Sequence, residues 1–527
     1  MKKTITTIIS LMFVLSSYCQ FAGQYTINVG GDDYINVLKS DGTTGFYMAG
    51  TIGQSGNYDA SFIRTNGVLT SAFSYGSTGT EYGTDLTMLN DGNVLITGRT
   101  NSFNGGNDFD VLLVKINPSD GSVIWSKAIG TDSTEYGFKA INSADGNILV
   151  TGPVTGNNKT DMMVLKVSNT DGHVIFATKT GFQYSNDTPY DIKDLGGTNG
   201  IVVMGYSGAG LIGMNDICAA ILDSTAKIVE DMFFGGAGDE EGRVLNINFG
   251  GDGYVYIAGT TGSYGAGGND FFVQKLKVSP GMPAVKWFKT YGGTGNENLT
   301  AFELNEQGFL LGGLTSSYGA ATEGLLVQID TAGTVIWSKN EGTVGDDNLQ
   351  GIMIDTTNNL NIVVGYTNFW SGSNNDGFLI VANSDGTSGT CDGNPGIIAQ
   401  SHTINDSIQF GITTLTTDTM NVVETGAGIS AVSLTPTFSQ VCPVSVESFE
   451  NSDVAVYPNP FSGNIIITTN FTTEFDIEIF DINSRVVYTR SADSKSIEIN
   501  LSALPAGIYT LVCKTRDTVT RSKIVKY

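Results

Sequence analysis

A short apolar strand that ends in glycine recurs along the chain: Phe46–Gly50, Val94–Gly98, Ile148–Gly152, Val202–Gly205, Val255–Gly259, Phe309–Gly313 and Ile362–Gly365. The glycine-to-glycine steps are 48, 54, 53, 54, 54 and 52 residues. About ten residues after each glycine an acid opens a second, alternating strand: Asp59, Asp110, Asp161, Asp216, Asp270, Glu323 and Asp376. A third strand carries Trp125, Phe176, Trp287 or Trp337, and a Gly-rich turn with a further acid, such as Gly130 to Glu135, leads to one more short strand. Four short strands in each of seven units predict an all-β chain built on a seven-bladed β-propeller. We label the strands a (after the acidic turn), b (Gly-ended), c (acid-opened) and d (the Trp strand).

The last unit has strands a, b and c, but no d strand follows Ser384-Asp385-Gly386. Tyr25–Gly31 aligns with Trp287–Gly293, so an N-terminal strand is expected to complete the last blade and close the ring over residues 20–386. Closure removes the open edges on which strands of other chains pair. Residues 387–445 read as a β-rich bridging segment.

The 68 glycines follow from seven sets of tight turns. Two histidines in 527 residues argue against a histidine metal centre, and a net charge of −25 argues against nucleic acid and anionic membrane surfaces. Lys2 and Lys3, an apolar run from Ile8 to Leu15 and small residues before Gln20 read as a signal peptide over residues 1–19. No later stretch reaches the ~18 apolar residues of a membrane span, so no transmembrane segment is expected. Export takes a chain to compartments where disulfides form; Cys391 and Cys442 bracket one segment and are the expected pair.

From residue 446 the glycine repeat stops. Tyr457-Pro458-Asn459-Pro460 opens a module of short alternating strands; Pro505-Ala506-Gly507-Ile508-Tyr509 follows, and Lys523-Ile524-Val525-Lys526 closes it. The alternation predicts a small β-sandwich over 446–527. These motifs resemble the type A C-terminal sorting domain of the bacterial type IX secretion system. The resemblance implies export of a folded cargo, partnership with the type IX machinery through Tyr457, Pro458, Asn459, Pro460, Gly507 and Tyr509, and an extracellular or outer-membrane-surface location. The Gly/Asp-rich propeller is similar to those carried by such cargo. This module holds 10 acids and 8 bases, so the acidity belongs to the propeller and the segment after it.

The strand labels bring the b–c and d–a acids to one face of the disc. One reading is a carboxylate ring that holds a hard cation, calcium being the one expected, with Asp239, Glu240 and Glu241 as the local site. The other is that each acid caps its own turn by accepting backbone N–H groups. Five residues after the b-strand glycine stand Phe103, Tyr264, Tyr318 and Trp370, in loops rich in Ser, Gly and Asn. Rings beside amides suit a saccharide surface, whereas packing into the neighbouring blade is the bland reading. No P-loop, G-x-S-x-G or H-E-x-x-H motif is present, so the chain is not expected to be an enzyme. The expected function is binding or adhesion to glycans or surface proteins; the alternative is a polysaccharide hydrolase or lyase on the acidic face.

Overall fold

The computed structural model describes residues 23–526 except 29–30, 44, 55–56, 66–68, 104–107, 157, 183–184, 197–199, 210–213, 249–253, 278–283, 320, 343–344, 369–373, 389–397, 403–407, 411–415, 421, 427–428, 435–436, 443–453, 460, 470–474, 481–484, 506 and 516–518. The signal segment 1–19, Trp370, Pro460 and Cys391, as well as the side chain of Cys442, lie outside the description, and with them the expected disulfide. The chain divides into two units at Val444/Ser445.

The first unit holds seven antiparallel blades in the strand order a-b-c-d. Blade 2 is representative: Glu81–Met88 pairs with Val94–Thr100, then Asp110–Ile116, then Val123–Gly130. Blade 7 takes its d strand from Gly23–Asn28, which pairs antiparallel with Asp376–Asn383. The ring is therefore closed by the N-terminal strand.

Strands b and c are buried on both faces, as in the wholly buried Asp110–Ile116, because each blade is packed between two others. Tyr47, Phe62 and Tyr75 of blade 1 meet Leu86, Ile96 and Leu112 of blade 2 in one such core. Ile27 and Leu379 of blade 7 meet Ile35 and Met48 of blade 1 in another, so the seam is packed like the other interfaces.

The recurrent glycine has a specific cause. The a strand of blade 2 carries a bulge between Gly83 and Asp85, and this drives the Tyr82 carbonyl against Gly98, where a Cβ would overlap its oxygen. The same register shift occurs at Ile35/Val37, Pro189/Asp191, Gly242/Val244, Leu299/Ala301 and Leu349/Gly351. A bulge re-aims the extra residue. Here it brings side chains of the innermost strands, among them Asn36, Thr84, Tyr190, Thr300 and Gln350, to a cavity walled by a strands from all seven blades.

Residues 387–445 are β-rich but do not stand as a bridge of their own. Ile398–His402 adds a fifth strand to blade 5, Ile408–Phe410 to blade 4 and Thr416–Thr419 to blade 3. Val423–Gly426, Ser430–Leu434 and Thr437–Cys442 do the same for blades 2, 1 and 7. This belt runs backwards around the ring, antiparallel to each outer strand. Among the described residues only the outer strand of blade 6, Val335–Glu341, receives no fifth strand.

The belt also fills gaps between blades: Met420 is buried in the core of blades 2 and 3, and Ile429 in that of blades 1 and 2. Full burial of such side chains contributes about 1.5–3 kcal/mol each. Glu424 accepts the Val174 N–H at 2.8 Å and contacts His173 Nδ1 at 2.8 Å, which ties the belt strand of blade 2 to blade 3.

The second unit has two sheets. Val454–Tyr457, Asn464–Thr469 and Ser496–Asn500 form one; Val486–Ala492, Phe475–Phe480, Gly507–Lys514 and Val519–Lys526 form the other. Ile465, Ile477, Ile499, Leu511 and Ile524 share the core between them.

Candidate functional site

The acids that open the a strands are structural. Glu240 is buried: Oε2 accepts the Gly236 N–H at 2.6 Å, and Oε1 accepts Thr261 Oγ1 at 2.8 Å and the Ser263 N–H at 3.1 Å. Glu297 repeats the set with Gly293, Thr315 and Ser317, and Glu81 with Ser77, Thr100 and Ser102. This corrects the expected cation site. Asp239 turns to the Asn215 N–H at 3.1 Å and Glu241 pairs with Arg243 at 2.6 Å, so the three carboxylates serve three separate partners. No group of three potential metal ligands occurs among the described residues.

The c-strand acids lie beside these caps across the glycine that ends each d strand. A Cβ on Gly130 or Gly292 would overlap Asp110 or Asp270, and both glycines also adjoin Glu135 or Glu297. Glu135 is pushed up to about 7, by burial first, against the pull of the Thr131 hydrogen bonds and with Asp110 adding to the rise. Asp270 is pushed up to about 6, again by burial first, with Glu297 adding to it.

Among the described residues, which do not include Trp370, the predicted aromatic set does not come together. Phe103 packs on the core of blades 1 and 2. Tyr264 packs edge-on to Phe288, with centroids 5.3 Å apart, in the core of blades 4 and 5. Tyr318 packs on the core of blades 5 and 6, and burial pushes its phenol up to about 12. The loops after the b strands lay these rings against the cores between blades, and each is half-buried.

A different aromatic set does converge, at the acid-face end of the inner strands. Tyr34, Tyr82 and Tyr136 directly follow the a-strand acids, while Tyr58 and Phe109 directly precede c-strand acids. Tyr34 meets Tyr366 at 4.8 Å between centroids, and Tyr58 stacks on Tyr82 at 5.4 Å. Tyr82, Phe109, Tyr136, Phe138, Tyr190 and Tyr206 continue the series at 5.9–6.1 Å per step. All nine rings are half-buried. The arc spans blades 7, 1, 2, 3 and 4. Asn298 of blade 6 and Asn348 of blade 7 hold the position that Tyr82 occupies in blade 2, Glu241 holds it in blade 5, and Asn269 donates to Asn298 at 3.3 Å.

Two guanidiniums are set into the arc. Arg99 lies 4.3 Å from the Tyr82 centroid, 4.4 Å from that of Tyr136 and 5.1 Å from that of Phe109. Arg243 lies 3.9 Å from that of Tyr190. Two rings of the series, Phe138 and Tyr190, reach the central channel, a cavity of about 370 Å³ whose lining also includes Lys39, Lys139 and Glu303. The sequence carried one overlooked signal: Glu-Tyr-Gly at 81–83 recurs at 135–137.

In the second unit the motif residues hold one another. Asn459 accepts the Val525 N–H at 2.9 Å, and the Tyr509 hydroxyl donates to the Pro505 carbonyl at 2.7 Å. Lys526 is buried and donates to the Leu501 and Ser502 carbonyls at 3.0 and 2.9 Å. The opening motif thus caps the closing strand. Residues 455–527 match the secretion system C-terminal sorting domain family. The C-terminal module is a type IX sorting domain. It marks the chain as cargo of that system and implies export to the cell surface or beyond.

No curated protein matches the chain. Among solved structures it is similar to PorZ, a surface component of the type IX secretion system of Porphyromonas gingivalis, at 12% identity over 92% of this chain and 68% of that one, with a TM-score of 0.36. It is also similar to the periplasmic gluconolactonase PpgL of Pseudomonas aeruginosa, at 11% identity over 72% and 99% of the two chains, with a TM-score of 0.38. Sqt1 from Chaetomium thermophilum gives 11% identity over 69% and 98%, with a TM-score of 0.37.

Proposed function

We propose that the exported propeller, freed of residues 1–19, is a glycan-binding module without catalytic activity, and that the mouth of its channel is the binding site. The observation that carries this reading is the half-ring of nine half-buried aromatic side chains beside an amide-bearing sector. Saccharides present apolar ring faces that stack on aromatics and hydroxyls that pair with amides, so the two sectors match the two kinds of saccharide surface. Adhesion at the cell surface follows from such a module on a type IX cargo.

The test is a glycan array probed with the full chain, with Tyr82→Ala and Tyr136→Ala as site variants and Tyr264→Ala as a packing control. Retention of a glycan that both site variants lose at an unchanged melting temperature supports the reading. Retention of none, or release of reducing ends from a polysaccharide, overturns it.

A further inference from the structure

The propeller carries a large excess of acids, and several of its cations are paired with them. Lys115 sits 2.6 Å from Asp91, Lys166 sits 2.6 Å from Asp145, and Arg243 sits 2.6 Å from Glu241. Arg99 makes no ion pair among the described residues, and its buried Nε has no hydrogen-bond partner there. Its contacts are the three rings. A guanidinium stacks through its flat faces and donates through its in-plane edge, so a stacked Arg keeps its N–H fork for an acceptor.

Lys39 and Lys139 line the cavity below, and neither makes an ion pair among the described residues. The charged groups that face them are Asp85, Asp191, Lys193 and Glu303. Asp85 is committed to the Ala140 N–H at 2.9 Å and Asp191 to the Leu245 N–H at 2.8 Å, while Lys193 lies 3.2 Å from Asp191. Burial alone would lower the Lys139 amine, but Asp85, Asp191 and Glu303 together hold it above the usual lysine range, so the carboxylates of the cavity answer its lysines. Burial, and then Lys139, hold the Lys39 amine below the usual lysine range. Arg99 therefore stands out among the described residues as a stacked cation without an ion pair, in a chain whose net charge is −25.

We propose that the glycan taken at the channel mouth is a carboxylated saccharide, its ring laid on the aromatic arc and its carboxylate received by the Arg99 fork. This rests on the glycan-binding reading above and adds the ligand's charge. Arg pairs with carboxylate bidentately, which an ester or a neutral hydroxymethyl group cannot reproduce.

The experiment measures binding of oligogalacturonate, oligomannuronate and their methyl esters to the full chain by calorimetry, for wild type, Arg99→Gln and Arg99→Lys. We expect at least one free acid to bind about 10-fold or more tighter than its ester. Arg99→Gln should erase that difference, Arg99→Lys should keep part of it, and added salt should narrow it. Equal affinity for acid and ester, or an unchanged difference in Arg99→Gln, overturns the proposal. Retention on the array of neutral glycans only, with neither acid bound, also overturns it and leaves the glycan reading standing. Should Arg99→Gln fail to melt as wild type does, the Arg99→Lys and salt arms decide.

Discussion

The backbone of Ile27, near the start of the chain, pairs with that of Phe438, near the end of the propeller unit. On its other edge the same N-terminal strand pairs with blade 7, Ile27 opposite Gly377. One six-residue strand therefore carries two ladders, and at the seam blade 7 is as complete as blade 1, with four strands and a fifth outside them.

Deleting residues 23–28 removes both ladders together. The melting temperature should fall by roughly 5 °C or more, as expected for a loss of several kcal/mol in a large domain. An unchanged calorimetric transition would show that the seam adds nothing.

The belt should matter for stability as well as for shape. Met420→Ala empties a buried position between blades 2 and 3 and should cost about 2 kcal/mol in denaturant unfolding. Val423→Ala, at an exposed belt position, should cost far less. Equal effects would mean that the belt is not packed as described.

Two glycines separate backbone freedom from close approach. At Gly92, with φ of 83° and nothing within 4 Å of an added Cβ, alanine should cost about 1 kcal/mol. At Gly98 the added Cβ meets the Tyr82 carbonyl, a backbone group that cannot rotate away, so alanine should cost about 3 kcal/mol or more. Urea unfolding of the pair tests the order.

Glu240→Ala should lower the melting temperature by the same amount with and without EDTA, since the carboxylate serves Gly236, Thr261 and Ser263 rather than an ion. A shift seen only in wild type on adding EDTA would restore the cation site.

Acidity should help this fold over a defined range. A carboxyl whose folded pKa lies above its unfolded value binds more protons when folded, so its contribution weakens as pH rises between the two values. The window runs from 4.5 to about 7 for Glu135 and from 3.8 to about 6 for Asp270. Glu135→Gln should therefore lose less stability than wild type between pH 5 and 7.5. Parallel pH profiles of the two proteins in thermal melts would sink this assignment.

How much of this was legible depended on what repeats. The b-strand glycine and the two acids recur at fixed offsets because the bulge and the turn cap recur in each blade, and they led directly to seven blades and the closing strand. The belt left no such mark. Its strands are three to six residues long, and their partners are outer edges already explained by the blades. The aromatic arc was hidden for the opposite reason: Tyr82, Phe109 and Tyr206 stand in or beside buried strands, where a ring reads as core. Phe103 and Tyr264, in polar loops, read either as a saccharide surface or as packing against the neighbouring blade, and both lie half-buried against a core. A loop rich in Ser and Gly can fold a ring under itself, and local composition does not record that.

The belt also fixes an order of events. Its strands descend from blade 5 to blade 1 and reach blade 7 last, against a direction of synthesis that makes blade 1 first. No belt strand has a partner until the blades exist, and the last one needs the strand made first. The cargo is therefore fastened shut only once residue 442 has been made, just ahead of the sorting domain. Severing the chain between Cys442 and Val454 would leave every belt strand on the propeller side. The address label can be torn off without untying the parcel.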